Sequence, residues 1–339
     1  MALSTNLTVV LATAGRAPML RRTLESLAKC VRPQGYRQTI VVENGGREGA
    51  EEVVASAEPD LHARYLYAPQ GNKSAALNAA IELLQGDELV FFTDDDVRFH
   101  PGLLCAYFHA AQDQTNYFFG GPTGVDYATP PPDWLLDCLP ISARGWQWRG
   151  ETTELEQAAF LGFNWAAYVR DIRAAGGFDP NRGPGAASGS TGQESEMQRR
   201  LLRLGLKGLY LPDARVWHYI PPEHCTPEWA IRRNHRHGTE HGRRSFRDTP
   251  MLLGYPLWIV RRVCTSGVRG WLAALSCDPR AAFRAAHRRS YNRGLAQGVR
   301  AAQQEARDAR LAVRTQAPVD SKVRTHAAQV VARPQADPT

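Results

Sequence analysis

Short β-branched runs alternate with helical segments through about the first hundred residues, and that alternation restricts the fold more than any other feature of the chain. Leu7-Thr8-Val9-Val10-Leu11-Ala12, Gln38-Thr39-Ile40-Val41-Val42, Arg64-Tyr65-Leu66-Tyr67 and Leu89-Val90-Phe91-Phe92 read as strands. Between them Met19, Leu20, Leu24 and Leu27 recur at helical spacing, with Arg21, Arg22 and Glu25 outside. Residues 50–57 read as a second helix and the Ala/Leu-rich residues 74–84 as a third. Strands and helices in this order, with short connections, indicate an α/β fold built on a doubly wound, largely parallel sheet. Ligands of such sheets sit outside the carboxyl ends of the strands. Glu43, Lys73 and Asp94-Asp95-Asp96 all follow strand ends, so they are expected to converge on one crevice.

The aspartate triplet is the chemically pointed part of that crevice. In an extended chain Asp94 and Asp96 share a face and Asp95 takes the other. Adjacent carboxylates raise each other's pKa unless positive charge sits among them. A hard divalent cation supplies such charge, and Mg²⁺ takes few protein carboxylates plus substrate phosphates. The bland alternative is a solvated acidic turn. The chain has no G-x-G-x-x-G and no G-x-x-x-x-G-K-[ST], which argues against dinucleotide redox and P-loop chemistry. A nucleotide held by side chains and a metal fits better.

The chain's 339 residues suffice for one sizeable domain with an appendage. Its net charge of +7 is uneven, because arginine crowds the C-terminal third. That suggests an anionic partner such as phosphate or a lipid surface, or else a solubilising tail. No nucleic-acid-binding motif accompanies the arginines, so no nucleic acid is expected. The six cysteines lack a C-x-x-C pair, which disfavours a zinc ribbon or a disulfide framework. No basic residue precedes the apolar run at 7–12, which therefore reads as a strand and not a secretory signal. No stretch reaches the ~18 apolar residues of a membrane span. A cytoplasmic protein is expected.

Residues 8–27, 40–45, 71–81 and 90–97 together resemble the nucleotide-binding half of a family-2 glycosyltransferase with the GT-A fold. The resemblance implies a donor-nucleotide role for the loop Thr13-Ala14-Gly15-Arg16, although members often carry Pro-Thr-Tyr-Asn there. It implies a base contact for Glu43. Lys73-Ser74-Ala75-Ala76-Leu77-Asn78-Ala79 matches the family's K-x-A-A-L-N-A segment, which puts Lys73 and Asn78 near the nucleotide. Asp94-Asp95-Asp96 occupies the D-x-D position, implying Asp96 as metal ligand and an earlier aspartate, Asp94 or Asp95, near the ribose.

The second half continues the likeness. Phe163-Asn164-Trp165-Ala166-Ala167-Tyr168-Val169-Arg170 and Gly176-Gly177-Phe178-Asp179 resemble the family's acceptor-side block. The segment opening Gly192-Gln193-Glu194-Ser195-Glu196 is similar to the family's G-E-D-x-E/D motif, which implies Glu194 as general base, in place of Asp, with Glu196 as fallback. Residues 209–218 look like the family's last core strand, and its terminal His218 is implied as partner of Asp96 on the metal. Residues 183–192, rich in Gly and Ser, read as a loop able to close over a substrate or as plain surface. Trp146 and Trp148 either stack on sugar or pack a loop onto the core. His237 and His241 are four apart, yet Gly238 stands where H-E-x-x-H needs Glu, so a basic helix near the diphosphate or acceptor is the better reading than zinc. Residues 251–275 are apolar with Trp258, Trp271 and interrupting arginines; such a segment packs onto the catalytic domain or lies in a membrane interface.

The expectation is therefore a GT-A catalytic domain at 1–225, with a single Rossmann-like mixed sheet flanked by helices. Its nucleotide half is 1–100 and its acceptor half 101–225. A helical basic extension covers 226–314, and a disordered tail 315–339. The activity implied is inverting transfer from a UDP- or GDP-type sugar to a glycan, lipid-linked or small-molecule hydroxyl, with Mg²⁺ or Mn²⁺. A nucleotidyltransferase on the same fold and an inactive glycan- or membrane-binding module are the rivals. Peripheral contact with the inner face of the cell membrane is the further partner considered.

Overall fold

The computed structural model describes residues 6–112, 114–186, 192–245, 251–252, 254–275 and 278–315. The first hundred residues run β1 (Asn6–Thr13), α1 (Ala17–Ala28), β2 (Tyr36–Asn44), α2 (Ala50–Ala55), β3 (Ala63–Ala68), α3 (Lys73–Glu82) and β4 (Glu88–Asp94). Then come β5 (Val97–Phe99), α4 (Leu103–Gln112), β6 (Tyr117–Gly120), β7 (Thr123–Tyr127), α5 (Asp133–Leu136) and α6 (Ile141–Arg144). Next follow β8 (Thr153–Leu155), β9 (Trp165–Tyr168), α7 (Val169–Ala174), α8 (Gln193–Arg203), β10 (Lys207–Tyr210) and β11 (Val216–Ile220). After it lie α9 (Pro227–Arg244), β12 (Met251–Leu252), β13 (Tyr255–Pro256), α10 (Leu257–Leu275) and α11 (Pro279–Thr315).

Eight strands form the central sheet in the order β3-β2-β1-β4-β9-β6-β10-β8. Strands β1, β2, β3 and β4 are parallel, and β9 enters antiparallel between β4 and β6. Alternation along β1 explains the layering. Val9 and Leu11 join Leu20, Leu24 and Leu27 of α1 on one face, while Val10 and Ala12 join Ala76, Leu77 and Ala80 of α3 on the other. The small alanines of α3 bring its axis close to the sheet, and Asn72 caps its start by accepting from Ala75 N–H at 2.9 Å.

Two features depart from the expected single sheet. Residues 209–218 do not form one strand: the chain breaks at Leu211-Pro212-Asp213-Ala214-Arg215, and β11 pairs instead with β5 and β7 in a separate three-stranded sheet. Proline has no N–H for a ladder, so the strand ends there. A third sheet is the β12–β13 pair.

The helical segment after β11 starts with Thr226 capping α9 through Trp229 N–H, and it packs against the preceding elements. Ala230 and Trp229 pack with Ile220 and Leu135 beneath the small sheet. Its internal packing rests on glycine. Gly238 and Gly242 of α9 face Tyr291 and Leu295 of α11, and Gly294 and Gly298 of α11 face His235 and Thr239. A methyl group at any of these four would stand 1.9–2.1 Å from a carbonyl oxygen of the other helix. The two backbones touch with no side chains between them. His237 and His241 lie edge-on against the Tyr291 ring. Residues 187–191 of the Gly/Ser-rich loop and 316–339 of the tail lie outside the described residues.

Candidate active site

The carboxyl ends of β1, β2 and β4 lie side by side, because the register pairs Thr13 with Glu43 and Ala12 with Asp94. Asp94 is the last residue of β4. The chain bends after it, so the three carboxylates do not alternate as a strand would have them. Asp94 receives the Lys73 ammonium. Asp95 is wholly buried and accepts from Thr13 Oγ1 and the Arg16 guanidinium. Asp96 takes Arg16 Nη1 at 2.6 Å and faces His218 Nε2 at 3.4 Å. Arg16 thus spans Asp95 and Asp96, and the repulsion anticipated within the triplet is offset by the protein's own cations.

Electrostatics follow from this arrangement. Burial pushes the Asp95 carboxyl up to about 6, against the pull of Arg16. Asp96 is also buried, yet His218, Arg16 and Lys73 together hold it well below the usual carboxylate range. Burial disfavours the His218 imidazolium, but Asp96 outweighs it and raises the pKa. The His218 ring stacks on Phe163 with centroids 4.7 Å apart, and its Nδ1 lies 2.7 Å from the Ser142 carbonyl.

Glu43 is buried and fully engaged. Its carboxylate accepts from Glu48 N–H at 2.7 Å, Ala50 N–H at 3.3 Å and Tyr65 OH at 2.7 Å. It therefore orders the loop between β2 and α2. Gly15 carries φ +64° in the neighbouring loop, where a Cβ would stand 2.6 Å from Glu48 Oε2. Ala14 is exposed at the loop rim.

Asn78 is used differently from the expectation. Its side-chain amide donates to the Phe178 carbonyl at 2.8 Å and accepts from Phe178 N–H at 2.7 Å. That spends both ends of the amide on the loop after α7, and Asn78 positions backbone. The same loop lands on the start of α3: Lys73 N–H donates to the Pro184 carbonyl, and Ser74 Oγ to that of Arg182.

A cavity of about 890 Å³ opens beside this edge, lined by Lys73, Asp94, His218, Glu194, Arg233 and Arg236 among others. Glu194 stands in the first turn of α8, in the wall beside Gly162. Burial raises its pKa, while its own backbone N–H and the charges of Lys73 and Arg233 pull the other way. The fallback Glu196 is bound to Arg200 at 2.7 Å. Arg233 lies half-buried across from Glu194, and burial lowers its pKa. Of the two tryptophans, Trp146 packs edge-on against Phe160 and Tyr210, and Trp148 is exposed.

Sequence reasoning missed the Ser142 carbonyl behind His218 and the Tyr65 hydroxyl on Glu43, since neither residue type signals its role. Arg233 carried a signal, as one of the arginines of a basic helix. Among the described residues no cluster of three or more His, Cys, Asp or Glu side chains surrounds one point. A cation here would have two protein ligands. Asp96 and His218 fit one: Asp96 Oδ1 is buried without a hydrogen bond, and it faces an imidazole nitrogen. With Nδ1 donating to Ser142, the neutral ring presents its Nε2 lone pair to that place.

A large mixed sheet with a parallel first half, flanked by helices, is the architecture of a GT-A glycosyltransferase. The chain belongs to the glycosyltransferase-like family 2, whose family model matches residues 5–239. Among solved structures, the mannosyltransferase PcManGT from Pyrobaculum calidifontis, in complex with GDP-Man and Mn²⁺, is 16% identical over 87% of both chains, with a TM-score of 0.56. GalNAc-T7, solved with UDP, GalNAc and Mn²⁺, is 12% identical over 71% of this chain and 51% of that one, with a TM-score of 0.50. TarS from S. aureus is 13% identical over 86% and 55%, also at 0.50. This chain spans about half the length of those last two. Among curated proteins, none matches the sequence.

Proposed function

We propose that this glycosyltransferase moves a sugar from a nucleoside diphosphate sugar to an acceptor hydroxyl, with inversion and with a divalent cation. The observation that carries the reading is one cavity bearing Lys73 and Asp94 at its sheet edge, His218 beside them, and Glu194 in its wall. Asp96 and His218 would hold Mg²⁺ or Mn²⁺, and the imidazole favours manganese. A cation held there would supply positive charge to offset that on a leaving diphosphate. Thr13, Arg16 and Asp95 keep the Asp96 carboxylate oriented, and Lys73, paired with Asp94, adds a second positive charge on the donor side.

Glu194 takes the proton of the acceptor hydroxyl as its oxygen bonds to the anomeric carbon. The bond from that carbon to the diphosphate oxygen breaks on the opposite face, so the configuration inverts, and the nucleoside diphosphate leaves with the electron pair. A desolvated carboxylate with a raised pKa is a stronger base than one in water, which suits this step. The acceptor is a hydroxyl of a glycan, a lipid-linked sugar or a small molecule. Arg233 and Arg236 in the cavity wall suit an acceptor carrying negative charge.

The deciding experiment is thermal shift and turnover with UDP-, GDP-, TDP- and CMP-sugars, with and without Mn²⁺. A Mn²⁺-dependent rise in Tm for one donor, followed by release of its nucleoside diphosphate, supports the reading. Turnover unaffected by chelation overturns its metal step.

A further inference from the structure

Helix α10 turns an apolar face to solvent. Leu257, Val268, Trp271 and Leu275 are 48, 61, 65 and 62% exposed. At about 100° per residue they fall, with exposed Cys264, within roughly 60° of one another on the helix surface. The opposite side carries Ile259, Ser266 and Gly270, all buried. Ile259 packs with Leu295 and Val299 of α11, and Asn292 of α11 donates to the Arg262 carbonyl. The helix therefore has its packing partner already, and the outward stripe is a second apolar face. Just before it, Met251 and Leu252 of the β12–β13 pair are 43 and 46% exposed.

Along this segment the formal charge is of one sign, up to Asp278 just past its end. Residues 251–277 contain three arginines, Arg261, Arg262 and Arg269, and no aspartate or glutamate. Exposed Arg261 flanks the stripe on the helix wheel. None of the helices, among the described residues, is long and apolar enough to cross a membrane.

We propose that this face docks the protein onto an anionic lipid surface, with Trp271, Leu275, Val268 and Leu257 at the acyl boundary and Arg261 on the phosphate headgroups. A leaflet supplies both the apolar medium and the negative charge that this combination needs. A second copy of the chain supplies only the first: it would bring arginines together with no carboxylate in 251–277 to receive them. A tryptophan exposed at the edge of the stripe suits the water–lipid boundary, where its ring is half apolar and half polar. The docking is peripheral and independent of the transfer chemistry.

The test is flotation of the full chain with vesicles of phosphatidylcholine alone, or with about 30 mol% phosphatidylglycerol, at low and high salt. Binding to the anionic vesicles only, released by salt and accompanied by a blue shift of tryptophan emission, is the expected result. Trp271→Ser combined with Leu275→Ser lowers partitioning roughly tenfold or more. Arg261→Glu lowers it by about fivefold or more on anionic vesicles. Both variants keep the wild-type Tm, because these side chains are exposed. Absence of binding to either vesicle, or equal retention of wild type and both variants, overturns the proposal. So does a soluble dimer that Trp271→Ser and Leu275→Ser convert to monomer, since a second copy then covers the face.

Discussion

Nε2 of His218 stands 3.4 Å from Oδ1 of Asp96 while Nδ1 of the same ring lies 2.7 Å from the Ser142 carbonyl. The two nitrogens are thereby distinguished: one is spent on backbone, and the other faces a carboxylate oxygen that has no hydrogen bond. Asp96→Ala and His218→Ala are each expected to abolish the Mn²⁺-dependent Tm shift and to lower turnover by about 100-fold or more. Titration calorimetry with Mn²⁺ and a nucleoside diphosphate reads the effect. Unchanged metal affinity in both variants would move the cation elsewhere.

Glu194 is held in a desolvated wall that favours its neutral form. Glu194→Gln should cost about 10²–10⁴ in kcat with donor binding retained. In the wild type, the acid limb of kcat/KM should lie above the ordinary glutamate range, because activity needs the carboxylate and its pKa is raised. The stability sign is the reverse. A raised folded-state pKa contributes stability that is full below the unfolded value and lost as pH rises through the folded one. The Gln variant, which carries no buried charge, is expected to melt no lower than wild type at neutral pH. A variant with wild-type kcat would remove Glu194 from the base role.

Arg16 reaches two carboxylates at once. Arg16→Lys keeps the charge but not the planar fork, so it cannot satisfy both. Arg16→Ala leaves Asp95 buried beside Asp96 without its main cation. About 1–3 kcal/mol of stability should be lost, less than for a fully enclosed pair because the Arg16 side chain is 47% exposed. Urea melts of wild type, Lys and Ala variants order the three, and an Ala variant as stable as wild type would contradict this account.

The contact between α9 and α11 admits no side chain. Gly242→Ala and Gly298→Ala should each destabilise by roughly 1–3 kcal/mol, since a Cβ would stand 2.1 and 1.9 Å from the Leu295 and Thr239 carbonyl oxygens. Gly150→Ala, where nothing lies within 4 Å, is the control. Equal denaturation midpoints for all three variants would show that the helices are not held this way.

Much of the nucleotide half was legible because its strands and helices obey simple periods and its strand ends are marked by charge. The break at Pro212 was visible too, yet the family likeness carried the strand reading through it to His218. Asn78 shows the limit of a motif. The spacing identifies the residue, but only the fold reveals that Phe178, a hundred positions later, takes up both ends of its amide. Ser142 behind His218 left no trace at all, because any residue can offer a carbonyl. The glycines of α9 and α11 did leave a signal, at 238/242 and 294/298. A four-residue glycine interval is only half a statement, and its meaning depends on a facing helix with the same interval.

That glycine contact also bears on where this enzyme ends as a unit. The family match stops at residue 239, inside α9, whereas the helix that fits its bare side begins at Pro279. Arg233 and Arg236 project from the same α9 into the cavity. A fragment cut at the family boundary would keep every strand of the two larger sheets and lose the brace for one wall of its reaction chamber. The backbone contact between α9 and α11 therefore ties one wall of the cavity to residues that lie beyond the family match.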